Sequence, residues 1–135
     1  MVGKLDEFMG FHEAALSIRG QRQQMLASNI ANADTPNYKA RDIEFSAAMS
    51  HALNRSGTSG TSTDLTKTST SHLNAQNSVG GTPALYRTVV QGSVDGNTVD
   101  MDVERNQFAD NAIRYEASLT ILNMQIRNML AAIQG

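Results

Sequence analysis

The side chains able to do chemistry are few in this 135-residue chain, and they are scattered. Its three histidines, His12, His51 and His72, include no pair at the i,i+3 or i,i+4 spacing that puts two ligands on one helix face. Cysteine is absent, which removes thiol catalysis, disulfide scaffolds, iron–sulfur clusters and zinc ribbons together. The acidic run Asp95, Asp100, Asp102 and Glu104 is the one group worth testing as a cation loop. Counted from Asp95, it has Val99 at the fifth position, Asp100 where the turn needs glycine, and Asn106 in place of the final glutamate. It fails as a calcium site, and helix capping explains the acids instead, with Asp100 or Thr98 as N-cap. No G-x-S-x-G elbow, phosphate-binding glycine loop or H-E-x-x-H motif is present. No catalytic, metal-binding or cofactor-binding residue is predicted, and an enzyme is not expected.

Charge and hydropathy narrow the class further. Eleven basic against 13 acidic residues give a net charge of −2, with no general attraction for nucleic acid and no small-molecule substrate implied. No run approaches the roughly 18 apolar residues needed to span a bilayer. Met1 to Gly10 lacks the basic and apolar regions of a cleaved secretory signal. Ordinary rules then keep the protein in the cytoplasm unless an exporter independent of such signals handles it. Leu, Ile, Val and Phe make up 28 of the 135 residues, just above the roughly 20% below which chains tend to be disordered.

Those apolar residues are concentrated at the two ends of the chain. Residues 1–33 read as a helix in which Phe11, Ile18 and Met25 recur every seven residues, flanked by Leu5, Met9, Leu16, Leu26 and Ile30. Gly20 weakens its middle by about 1 kcal/mol relative to Ala. The helix is expected to end near Ala33, because Pro36 pushes Thr35 out of the α region. Residues 100–135 carry Met101, Arg105, Phe108, Ala112, Tyr115, Leu119, Leu122, Ile126, Met129 and Ile133 at alternating spacings of four and three. All but Arg105 are apolar, which is the seam of a coiled coil.

The middle, residues 34–99, is irregular. Asp42 to Leu53 suits a short helix with Phe45, Met49 and Leu53 on one side. In the stretch 54–72, 11 of 19 residues are Ser or Thr, which predicts a flexible loop. Leu85 to Val90 is rich in strand formers, Asp95-Gly96 is a turn signal, and Thr98-Val99 is the expected return strand of a β-hairpin. The fold class expected is mainly α: one domain whose long N- and C-terminal helices pack as a coiled-coil hairpin. The middle, with its short β-hairpin and flexible Ser/Thr-rich loop, projects from one side.

The most informative segment is the exit from the first helix. Pro36 presets φ at position i+1 of a turn, and Asn37 at i+2 tolerates a positive φ. Asn29 and Asn32 lie three apart, where their amides reach the backbone groups left unpaired at a helix end. Read from the residues alone, this is a well-capped helix terminus.

The stretch Ala31-Asn32-Ala33-Asp34-Thr35-Pro36-Asn37-Tyr38 also resembles the A-N-x-x-T-x-G-Y signature of bacterial flagellar axial proteins, the rod and hook family. Asn37 stands at the usual glycine position, a mild departure because Asn also tolerates the left-handed region. The resemblance extends through Leu26-Ala27-Ser28-Asn29-Ile30, Arg41-Asp42-Ile43-Glu44-Phe45, Leu85-Tyr86-Arg87 and Asp95 to Glu104, and favours the proximal-rod branch. It leaves only the Ser/Thr-rich loop unmatched.

The resemblance implies a structural subunit of the basal-body rod that transmits torque across the periplasm. It implies export by the flagellar type III apparatus without a cleaved signal. The implied partners are further copies of the chain, other proximal rod proteins, the rod–ring adaptor, the membrane ring and the export gate. Another axial component, or a soluble coiled-coil adaptor or export chaperone, is the alternative. Phe11, Ile18, Met25, Phe108, Tyr115, Leu119, Leu122, Ile126, Met129 and Ile133 are the expected packing seam within and between subunits. An exposed seam recovers too little burial free energy to offset backbone ordering, so the helices are expected to be poorly formed in the free monomer.

Overall fold

The structure, a computed structural model, describes residues 2–57, 78–79, 82–89 and 92–135. Three helices dominate: α1 (Val2–Ala31), α2 (Phe45–Gly57) and α3 (Met101–Gln134). At 30 and 34 residues, α1 and α3 are about 45 and 50 Å long. Among the described residues of the middle there are four two-residue strands: β1 (Arg41–Asp42), β2 (Ser78–Val79), β3 (Thr82–Pro83) and β4 (Leu85–Tyr86).

The helix boundaries follow local chemistry. Helix α1 closes with bonds from Asn32 N to the Ser28 and Asn29 carbonyls (3.1 and 3.2 Å) and from Ala33 N to the Ile30 carbonyl (3.2 Å), just short of the proline turn. Glu44 caps α2: its carboxylate accepts from Ala47 N at 2.6 Å and from Ser46 N at 3.3 Å, and its carbonyl accepts from Ala48 N at 3.0 Å. The hydrogen bond from the Ser46 hydroxyl, followed by that from Ala47 N, holds the Glu44 carboxyl below its ordinary pKa. Asp100 caps α3, its Oδ1 accepting from Asp102 N and Val103 N at 3.0 and 3.3 Å. Thr98, the other candidate cap, instead accepts from Ala40 N through its hydroxyl at 2.8 Å. Arg127 lies well short of the last turn of α3, which carries no basic residue.

The hairpin predicted from 85–99 is corrected by the structure. Leu85 and Tyr86 pair antiparallel with Asp42 and Arg41, so the partner of β4 is β1, more than 40 residues earlier. Thr98 and Val99 form no strand. A turn does form at this signal, centred on Val94 and Asp95 with Gly96 N bonded to the Ser93 carbonyl at 3.1 Å, but it docks on the α1 exit. Asn37 N donates to the Asp95 carbonyl (2.9 Å) and Thr98 N to the Tyr38 carbonyl (3.0 Å), while Arg87 N donates to the Ala40 carbonyl (2.9 Å). Residues 37–42 thus lie between 85–87 and 95–98 and exchange backbone hydrogen bonds with both. A separate short antiparallel pair joins β2 to β3. Of the predicted Ser/Thr-rich loop, residues 54–57 belong to α2 and 58–72 lie outside the described residues.

The apolar core is formed by α1 and the middle. Ala15, Ile18 and Met25 pack with Ile43, Ala48, Met49 and Ala84, with Phe45 and Ala52 against them. Leu26 is fully buried as well. The Arg19 guanidinium covers the Phe45 ring at 4.3 Å from its centroid. Burial, and then the neighbouring Arg114 and Arg22 charges, lower the pKa of Arg19 from its ordinary value. Among the described residues α3 adds no apolar side chain to this core; its buried side chains are Glu104 and Asn111.

Candidate functional site

The proline turn is built around Asn37. Tyr38 N donates to the Thr35 carbonyl at 3.3 Å, with Pro36 and Asn37 as the central pair and Asn37 at φ 60°. Asparagine at that position accepts the left-handed backbone at modest cost. Asn32 ties the turn to the helix: its Nδ2 donates to the Ser28 carbonyl at 2.8 Å, and its Oδ1 accepts from the Thr35 hydroxyl at 3.0 Å. The Tyr38 hydroxyl lies 3.2 Å from that of Ser28 and donates to Asn29 Oδ1 at 3.3 Å. Ala31, Thr35 and Pro36 are exposed.

Three residues whose part in this corner the sequence did not show complete it. Asn97, buried, donates through Nδ2 to the carbonyls of Asn32, Ala33 and Thr35 at 2.9, 2.8 and 2.8 Å. It therefore caps α1 from more than 60 residues away. Gly96 has φ +76°, in the left-handed region that favours glycine, and a Cβ there would press on the Asn37 side chain. Glu104, read from sequence as one more acid of the first turn, is fully buried and accepts from Asn29 Nδ2 at 3.2 Å.

Asn29 is the hub between the turn and a half-buried ionic cluster. Its Nδ2 donates to the Arg41 carbonyl at 2.7 Å as well as to Glu104, while its Oδ1 accepts from Arg41 N at 3.2 Å. Asp42 accepts a two-pronged contact from Arg22, at 2.8 and 2.9 Å, and a third bond from Arg87 at 2.8 Å. Arg87 also pairs with Glu104, and Arg22 donates to Gln107 Oε1 at 2.8 Å. Burial opposes the charge on Asp42, but the hydrogen bonds from Arg22 and Arg87 outweigh it and hold its carboxyl below the usual range. The bond to Asp42 raises Arg22 in turn. For Glu104 burial dominates and pushes its carboxyl up, against the Asn29 hydrogen bond and the Arg87 charge. Farther along the crossing, Asn111 donates to the Arg19 carbonyl at 2.9 Å and to Gln23 Oε1 at 2.6 Å. Its Oδ1, with Arg19 Nε and Gln21 Oε1, is buried without a partner.

The heptad residues are distributed unevenly. Ile18 and Met25 are in the core, whereas Phe11 is exposed. On α3, Phe108, Leu122 and Met129 are half-buried, while Tyr115, Leu119 and Ile126 are exposed and Ile133 is 82% exposed. Leu5, Phe8, Met124 and Leu130 add to the uncovered apolar surface at the same end. Patches of this kind mark interaction surfaces. A groove of about 470 Å³ opens between the helices where Gly20 and Gln23 face Ala112, Tyr115 and Leu119. The described residues include no cluster of three or more His, Asp or Glu suited to a metal ion, and no helix long and apolar enough to cross a membrane.

Sequence comparison agrees with the geometry. The flagella basal body rod protein family matches residues 9–39, the stretch that runs along α1 through the proline turn. The flagellar basal body rod protein FlgB of Escherichia coli K12 is 48% identical over 136 residues, covering 100% of this chain and 99% of that protein. FlgB of Salmonella typhimurium LT2 is 46% identical over 138 residues, with 100% and 99% covered. FlgB of Cereibacter sphaeroides is 45% identical over 135 residues, again with 100% and 99% covered. The chain belongs to the FlgB family of flagellar basal-body rod proteins, which are structural components and not enzymes.

Proposed function

We propose that the chain is a structural subunit of the proximal rod, joined to its neighbours through the terminal helices, and that the assembled rod transmits torque across the periplasm. The observation that carries this reading is the apolar surface left uncovered at the far end of the helix pair, from Phe8 and Phe11 to Leu119, Ile126 and Ile133. A seam of this periodicity is completed by other helices. Packing non-equivalent faces head to tail generates an open helical polymer, which is the geometry of a rod. The neighbours are further copies of the chain and other proximal rod proteins, with the rod–ring adaptor, the membrane ring and the export gate at the base. The exposed motif residues Ala31, Thr35 and Pro36 sit at the corner and are available to such neighbours, while Asn29, Asn32, Asn37 and Tyr38 hold the corner's shape.

Delivery to that site by the flagellar type III apparatus, without a cleaved signal, is part of the same reading. The chain has no cysteine and little apolar material in its middle, which suits passage in an unfolded state. Gene deletion followed by electron microscopy of isolated basal bodies tests the assignment. Rings without a rod are expected. Intact rods in the deletion strain would overturn it.

A further inference from the structure

The described residues contain five buried polar side chains: Asn29, Thr82, Asn97, Glu104 and Asn111. The last three are spaced seven apart on the C-terminal arm, and each reaches a different level of α1. Asn97 meets the exit carbonyls of residues 32–35, Glu104 meets Asn29, and Asn111 meets Arg19 and Gln23. They form an antiparallel ladder, with α1 numbers falling as α3 numbers rise.

This ladder does not lie on the apolar seam. It runs one residue to the side, beside Arg105 and Ala112, and the two stripes respond differently to a slip. Suppose α3 moves along α1 by one heptad. Met101, Phe108, Tyr115, Leu122 and Met129 take one another's places, as do Ala112, Leu119, Ile126 and Ile133. Arg105, which shares the row of Ala112, is the one exception; the rest of the apolar pattern is unchanged, so the seam discriminates poorly between registers. The polar stripe is not interchangeable. Either direction of slip withdraws the Glu104 carboxylate from Arg87, whose position is fixed independently by its backbone bond to Ala40 and its side-chain bond to Asp42. It also withdraws Asn97 from the three exit carbonyls and parts Gln107 from Arg22. The buried Glu104 carboxylate then loses its arginine, the buried Asn97 amide loses its acceptors and the Ala33 carbonyl its donor, which is costly. Stability alone does not favour asparagine at 111, where one amide oxygen stays unpaired.

We infer that Asn97, Glu104 and Asn111 set the register of α3 on α1, a task the apolar seam cannot perform by itself. In the rod reading, which this inference extends but does not need, register decides which apolar residues meet the neighbouring subunit.

The absence of cysteine makes the test clean, because engineered thiols are the only labelling sites. Spin labels are placed at Ala27→Cys and Ala117→Cys, both exposed positions. The labelled chain is diluted into unlabelled protein of the same sequence, so that only distances within one chain register. Helix content is matched by circular dichroism. With the ladder intact, one narrow distance is expected. Glu104→Leu with Asn111→Leu is expected to keep the helices and to add a second population, displaced along the axis by about 10 Å, the length of one heptad. A single undisplaced distance in that helical variant overturns the inference. If the double variant loses helix, Glu104→Gln alone decides, since it keeps the shape and removes only the charge. A displaced minor population supports the inference, and one unshifted distance overturns it. Neither result depends on whether the chain builds a rod.

Discussion

The two ends of the α1–α3 pair follow opposite rules. Near the turn, residues 18–30 and 97–111 bury polar groups and satisfy nearly all of them within the chain. The carboxylates of Asp42 and Glu104 both meet arginine, and the carbonyls of residues 32, 33 and 35, just past the end of α1, meet Asn97. At the far end, residues 5–11 and 113–133 carry side chains well suited to burial and leave them in solvent, with Ile113 71% exposed. Apart from Arg19 Nε, Gln21 Oε1 and Asn111 Oδ1, the near end is therefore satisfied within a single chain, and the far end is not. The physical reason lies in the two kinds of interaction. Hydrogen bonds and ion pairs need fixed partners at fixed distances, which one chain can supply. Apolar burial is non-directional and accepts any apolar surface, including that of a neighbour.

The contrast can be broken most directly at the far end. Leu122→Asp puts a charge into the half-buried seam, and loss of rod assembly and motility is expected with little change in the circular dichroism of the protomer. Normal motility would show that the far end is not an assembly face. Hydrogen exchange measures the same contrast without mutation. In dilute monomer, amides of α1 before Ala15 and of α3 after Tyr115 should exchange at least about tenfold faster than those of residues 18–30 and 101–111, because local opening is easiest where few contacts are buried. Equal protection along both helices would erase the distinction. This narrows the expectation of a poorly helical monomer to the far halves, since the near halves have a core of their own.

Two smaller effects test the near end. Asn97→Ala leaves the Ala33 carbonyl without its donor, while the Asn32 and Thr35 carbonyls keep the Thr35 and Tyr38 amides, and should cost about 2 kcal/mol by thermal or urea denaturation. A neutral result would mean that water replaces the amide. Asp42→Asn should cost a little less, about 1.5–2 kcal/mol at pH 7, because Arg22 and Arg87 lose their shared carboxylate at a partly solvated site. Its pH dependence has a definite sign. The folded-state carboxyl of Asp42 lies below its ordinary 3.8, so its contribution is present above that value and fades as pH falls through the depressed one. The gap between wild type and Asp42→Asn should therefore close on acidification. Glu104 behaves in the opposite way. Its carboxyl is raised above 4.5, so it takes up a proton first as the pH drops, and its ionisation opposes folding as the pH rises through the raised value. Stability curves of Asp42→Asn and Glu104→Gln against pH should diverge accordingly.

Local rules carried much of the architecture. The period of apolar residues marks both long helices, Pro36 marks the end of the first, and Asn37 takes the positive φ that its place in the turn requires. Asp100 caps α3 because a short acidic side chain before a helix has few better uses. These features depend on neighbours within a few residues, so they are written in the order of the chain.

Partners distant in sequence were decided only by the tertiary structure. Leu85 and Tyr86 have strand character, but nothing in their sequence selects Arg41 and Asp42 over Thr98 and Val99. Glu104 carries no local mark distinguishing it from Asp102 two residues earlier, yet one is fully buried against Asn29 and Arg87 and the other is exposed. Asn97 sits in an ordinary turn sequence, and its role as the cap of α1 appears only when residues 32–35 are brought beside it. Periodicity records which face of a helix is apolar, whereas hydrogen bonding records which atoms meet. The sequence by itself determined the helices, the corner and the seam; the three-dimensional packing decided that the polar stripe is buried near the turn and that much of the apolar seam at the far end stays outside.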